Sequence, residues 1–308
     1  MILAAAAGEK LPIFHHVYDF HGFELPFGVE IHLPNIAGFQ ITKFMVLQLL
    51  AALLVLWIFR GVTKRIQNGR TSGHWFWNFW EMLAVTLRDD VVRPIIGDPS
   101  HHHHDEVSDI PFQHVDAEGH HETHHHPPGQ MSGHPADKYL PFIWSCFFYI
   151  LFCNLLGAVP FFGSATGNVN VTGVLALTAF GATFLYGAQQ LGPIGFWKAL
   201  VPSIDAPGAL KVMLVPMMFV IEVVGLFIKH SVLAVRLFAN IMGGHTVLAV
   251  ILLFISMSAG SAAWWIVTPA SLLGQVGVAL LELLVAFIQA YVFAFLSTIF
   301  IGMALHPH

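Results

Sequence analysis

The sequence predicts an all-α polytopic membrane protein of about five to six helices, the last two long and strongly tilted as a hairpin. Three observations carry this. Hydrophobic residues make up 56% of the 308 positions, charged residues 10%, and the mean hydropathy is +0.69, a balance found in membrane proteins and foreign to soluble domains. The apolar residues collect in five long stretches rather than alternating with polar ones. The fourth stretch, Val212 to about Ser256, holds Glu222, Lys229 and Arg236 in its interior. A bilayer-centre arginine costs about 2.5–3.5 kcal/mol on insertion scales, so a charge kept there has a task.

Met1 to Asn35 reads as an external amino-terminal arm. Ile2–Ala7 is shorter than a signal-peptide core and has no basic residue ahead of it, so no signal peptide is expected. His15–Pro34 mixes aromatic, proline and charged residues and stays outside the membrane. Residues 36–98 comprise the first span and an interfacial helix. Ile41–Phe59 is just long enough for the hydrocarbon core, with Lys43 expected to snorkel outward. Arg60, Lys64, Arg65 and Arg70 follow at once and place that end on the cytoplasmic side, the amino terminus outside. Trp75 to Trp80 with Met82, Leu83 and Val85 predict the interfacial helix, ahead of Arg88 and Arg93.

Residues 99–137 change character. His101–His104, His114, His120, His121, His124–His126 and His134 alternate with acidic residues, and no lysine or arginine occurs between Pro99 and Asp137. Little there can be buried, which predicts a disordered insert. The helical membrane domain resumes at 138. Tyr139–Phe162 and Val171–Ala188 are the second and third spans, joined outside by Gly163–Asn170. Lys198 and Lys211 return the chain to the basic side. Cys146 and Cys153, seven apart on one span, are about 10 Å apart along a helix, too far for a disulfide.

The fourth stretch is too long for an upright helix. Its 45 residues make about 67 Å against roughly 30 Å of hydrocarbon, so it is either one strongly tilted helix or two broken near Gly243–Gly244. Strong tilt is preferred because Glu222, Lys229 and Arg236 recur every seven residues and form one stripe, with Asn240 a turn further on. Trp264, Trp265 and Pro269 fall in the connector to the fifth stretch, about Gln275–Met303. There Glu282 and Gln289 are also seven apart, with the small Ala286 between them to permit close helix approach. Two polar stripes converging in an antiparallel hairpin avoid facing lipid and enclose a water path.

The run Glu222-Val-Val-Gly-Leu-Phe-Ile-Lys229 through Arg236-Leu-Phe-Ala-Asn240-Ile-Met-Gly-Gly-His245, followed by Glu282-Leu-Leu-Val-Ala-Phe-Ile-Gln289, resembles subunit a of the F-type ATP synthase. Asn154-Leu-Leu-Gly-Ala-Val-Pro160 adds to the likeness, which covers about Pro34–Arg93 and Tyr139–Ala304. The resemblance implies a non-catalytic stator subunit without a cofactor or bound metal. Its implied partners are a rotating c-ring of carboxyl-bearing hairpins, the peripheral-stalk b subunits and membrane lipid, with no nucleic acid. It implies a bacterial inner membrane and a proton path of two half-channels. Arg236 takes the place of the family's separating arginine. Asn240, His245, Glu282 and Gln289 match positions that line the outer half-channel or support that arginine, Glu222 one nearer the cytoplasmic exit, and Asn154 a second-span contribution. Many bacterial members carry an acid at the position of His245 and a histidine at that of Glu282; here the pair is exchanged, which keeps a His–Glu relay. Gly157 stands where some members have an acid.

Plainer readings stay open at this level. Glu222 and Lys229 suit an ion pair, His245 a helix-end cap, and Glu282 an interhelical hydrogen bond; Asn240 and Gln289, taken singly, suit packing. The alternative function is a transition-metal transporter using the histidine loop. Such a protein needs ligands within its spans, and Val278 and Ala286, four residues either side of Glu282, supply none. His121-Glu-Thr-His124-His125 has the form of a di-iron box, yet the further boxes such enzymes need are missing.

Overall fold

Five helices long and apolar enough to cross a membrane dominate the chain, consistent with the polytopic all-α class. The computed structural model describes residues 22–25, 29–32, 35–36, 39–40, 42–67, 75–97, 134–159, 163–200 and 208–305. Most of the amino-terminal arm, the histidine run to residue 133, and Pro160–Phe162 lie outside the described residues. Two short antiparallel hairpins precede the helices: β1 (Gly22–Leu25) with β2 (Val29–His32), and β3 (Asn35–Ile36) with β4 (Phe39–Gln40). Composition alone did not foretell these strands.

The first span is α1 (Lys43–Gln67), longer than the apolar run because a helix continues while its basic end is solvated. Lys43 does not snorkel: it is buried at the first turn, where Phe44 and Leu47 pack with Ala165. The aromatic helix α2 (Trp75–Thr86) runs on through wider π-type turns, Leu87–Val92, into α3 (Arg93–Ile96). It is more than a surface helix. Trp77 fills the space that Gly61 of α1 leaves open, Trp80 packs at a tilt against Phe148 and Phe152, and Val91 and Val92 are fully buried.

Across the histidine segment, the chain is clasped. Arg93 spans Asp89 and Asp137 at 3.2 Å each, and a Cβ on Gly97 would strike the His134 ring. His134 caps the 3-10 turn Pro135–Tyr139 by accepting from the Ala136 amide. The described residues resume at His134, inside the 99–137 segment set apart by composition, and Ala136 and Asp137 make contacts there. Next come α4 (Leu140–Gly157) and α5 (Val169–Leu191). Pro141 sits in the first turn of α4, where its missing N–H costs nothing; Asn168 caps α5 through the Asn170 amide at 2.9 Å. Gly192, at φ +78°, turns the chain into the short α6 (Pro193–Ala199).

The fourth stretch is one helix, α7 (Gly208–Ser258), unbroken at Gly243–Gly244. Its 51 residues make about 76 Å, so spanning requires strong inclination. Gly260, at φ +87°, reverses the chain, and α8 (Trp264–Leu305) starts well before the expected Gln275. Trp264, Trp265 and Pro269 thus belong to the helix, with Pro269 inside it at the cost of the hydrogen bond to the Trp265 carbonyl. The carboxyl-terminal half of α8 is the centre of the core. Ala286, Ala290 and Ala294, one turn apart, let it approach its neighbours closely, while Phe293 and Ile301 fill the gaps. It packs against α4, α5 and α7. Cys146 and Cys153 are buried free thiols on α4.

Candidate functional site

Four predicted side chains meet in one place. Asn154 of α4, Asn240 and His245 of α7, and Glu282 of α8 line a cavity of about 60 Å³, together with Gly157 and Gly244. One water needs roughly 10–15 Å³ of such space, so several fit. Glu282 reaches it because Gly244 has no side chain: a Cβ there would overlap the carboxyl group. Its Oε1 is buried without a hydrogen-bond partner among the described residues.

Asn154 is 1% exposed. Its Oδ1 accepts from Thr166 Oγ1 at 2.8 Å, and Thr166 Oγ1 lies 2.8 Å from Ser164 Oγ. Both hydroxyls come from the connection between α4 and α5, which enters the bundle because Gly157 leaves room for Ser164. The turn Ala165–Gly167, closed by Gly167 N to Ser164 O at 3.0 Å, holds them there.

The helix pair α7–α8 is antiparallel, and its register follows from two contacts: Gly244 with Glu282, and Gly274 with Ile251, 3.8 Å from a Cβ built at the glycine. Continuing it sets Arg236 level with Gln289 and Ala290. Gln289 is buried, with its Nε2 lacking a partner among the described residues. Arg236 and Lys229 instead lie exposed on the outer side of α7, among the exposed Ile228, Val232 and Val235. Glu222 is half-buried, and no ion pair joins it to Lys229. The expected single stripe is therefore split: Asn240 and His245 turn into the bundle, while Arg236 faces out of it. The cause is helical phase: at about 100° per residue, Arg236 and His245, nine positions apart, stand on opposite sides of α7, with Asn240 about 40° round from Arg236.

Three polar residues escaped the sequence reading. Thr268 and Gln275 continue the seven-residue spacing of Glu282 and Gln289, and each carries a buried polar atom without a partner among the described residues, as does Ser297 a further turn and more along. The period itself was the available signal, carried only two members instead of four. His230 was also missed; buried between Phe180 and Phe300, it bonds the Leu226 carbonyl at 2.9 Å. Among the described residues, no three His, Cys, Asp or Glu side chains gather as a metal site.

The ATP synthase A chain family model matches residues 128–302, a stretch containing all seven predicted site residues. The chain is 34% identical to ATP synthase subunit a of Chloroherpeton thalassium, over 96% of this chain and 77% of that one. This chain belongs to the ATP synthase A chain family. A relative in Myxococcus xanthus, also named ATP synthase subunit a, is 34% identical over 94% of this chain and 80% of its own. Membership and five apolar helices together make it an integral membrane protein of ATP synthesis and proton transport.

Proposed function

We propose that this chain is the proton-translocating stator subunit of the Fo sector, non-catalytic itself, held by peripheral-stalk b subunits against a rotating c-ring in a bacterial inner membrane. Family membership supports the general role. The observation that carries the finer reading is Arg236, exposed on an apolar face of α7 without a counter-charge among the described residues.

A guanidinium directed into lipid is strongly unfavourable, so that face requires a partner that supplies an acid. A carboxyl group carried by a rotor stays neutral in hydrocarbon, because desolvation disfavours its anion; close to a permanent cation the preference reverses. Arg236 makes each passing carboxyl release its proton and stands as the barrier between two half-channels. Arginine keeps its charge where a buried lysine sheds it. The cavity of Asn154, Asn240, His245 and Glu282 serves as the outer half-channel, with Gln289 at the level of the arginine, and Glu222, toward the far end of α7, serves the exit. His245 and Glu282 lining one cavity supports the exchanged relay.

Replacing Arg236 with Ala in the assembled complex should abolish ATP-driven proton pumping in inverted vesicles while subunit composition is unchanged. Coupled pumping by that variant would refute the assignment. Glu282→Gln should slow passive proton conduction through vesicles stripped of the catalytic sector.

A further inference from the structure

Asn154 and Glu282 present complementary unmet needs at one cavity. With Oδ1 engaged by Thr166, the amide of Asn154 has its Nδ2 buried and without a partner among the described residues, and the same holds for Glu282 Oε1. Both residues line the same 60 Å³ space. The direction of the hydroxyl chain follows from proton counting. Thr166 has one O–H and gives it to Asn154, so the 2.8 Å contact with Ser164 is made by the Ser164 proton. Reversing the amide would place two acceptors, Oδ1 and the carboxyl of Glu282, on one small cavity.

We propose that Thr166 is a positioning residue for proton passage: its hydroxyl, supported by Ser164, locks the Asn154 amide so that its N–H₂ group faces the cavity and holds water against Glu282. This rests on the reading of that cavity as the outer half-channel. Gly157 is part of the device, since any side chain there would push Ser164, and the turn that carries Thr166, out of the bundle. The titratable groups lining the cavity are Glu282 from α8 and His245 from α7; α4 contributes the neutral Asn154.

The test uses the whole complex in vesicles stripped of the catalytic sector, with proton flux driven by a potassium diffusion potential and measured across pH. Thr166→Val, which keeps shape and removes the donor, should lower conduction about tenfold, the scale of one oriented hydrogen bond. Thr166→Ser should return it to within about twofold of the original. Should the valine chain fail to assemble, Thr166→Ala carries the same expectation without the branched bulk. Original conduction in the variant lacking the hydroxyl, or serine performing as badly as valine, overturns the positioning role. Glu282→Gln separates the two levels: slow conduction there with normal conduction in Thr166→Val defeats only this inference, whereas normal conduction in Glu282→Gln defeats the half-channel reading beneath it.

Discussion

Glu282 of α8 lays its carboxyl group against the Cα of Gly244 on α7, occupying the volume that any other residue's side chain would fill. The contact ties a titratable group to the helix that also carries Arg236, two turns away. Gly244→Ala should therefore expel the carboxyl group from the cavity without disturbing either helix. Passive conduction should fall between about tenfold and about a hundredfold, as expected for misplacing a reacting group by about 1 Å. Unchanged proton flux in the alanine variant would show that the carboxyl position is immaterial.

The small-residue face of α8 makes a stability prediction. Ala294 is fully buried where α8 meets its neighbours, so Ala294→Leu overpacks that seam and should cost about 1–3 kcal/mol. A lower melting temperature of the detergent-solubilised complex would register it. Ala279→Leu, on an exposed part of the same helix, is the control and should leave the melt where it was.

Arg93, Asp89 and Asp137 with the Gly97–His134 contact bring the two ends of the histidine segment together. Among the described residues, these contacts join the bundle across that segment. Replacing residues 98–133 with a short Gly-Ser linker should leave assembly intact and ATP-driven pumping within about twofold, since linkers of that kind close a small gap at little cost. Loss of pumping in the shortened chain would assign the insert a part in proton transfer.

The same clasp has an acid sensitivity whose sign is determined. The hydrogen bonds from Arg88, at 2.8 and 3.0 Å, hold the Asp89 carboxyl below its ordinary value, partial burial opposing them and the nearby charges of Arg88 and Arg93 adding to the effect. A depressed carboxylate contributes stability above its ordinary pKa and loses it as pH falls through the lowered one. Amide-exchange protection over residues 87–97 should accordingly persist through mild acidity and fall only below about pH 4. Arg88→Ala should move that fall to higher pH; an identical profile would remove Arg88 from the clasp.

Much of this architecture was legible in order of appearance. Apolar run lengths located all five spans, since hydrocarbon thickness leaves little choice. The seven-residue recurrence of Glu222, Lys229 and Arg236, and of Glu282 and Gln289, picked out the helices on which the site is built. The reading faltered where local composition misleads. Trp264, Trp265 and Pro269 look like a connector yet belong to α8, which runs on through the proline; Gly243–Gly244 look like a break yet stay helical, and the missing Cβ of Gly244 makes room for Glu282.

The sequence by itself determined that the protein is a helical membrane protein with charges on two long helices, because burying such residues in lipid is too costly to be accidental. Its motif also determined the family. Which of those polar groups face one another was decided only by the tertiary structure. Periodicity assigns a face to a helix but not the neighbour against it, so the outward turn of Arg236 and the inward turn of His245 depend on where α4, α5 and α8 pack. The Ser164–Thr166–Asn154 chain lay beyond sequence reasoning for the same reason: its donors sit in a connection, and only the space above Gly157 lets that connection reach the core.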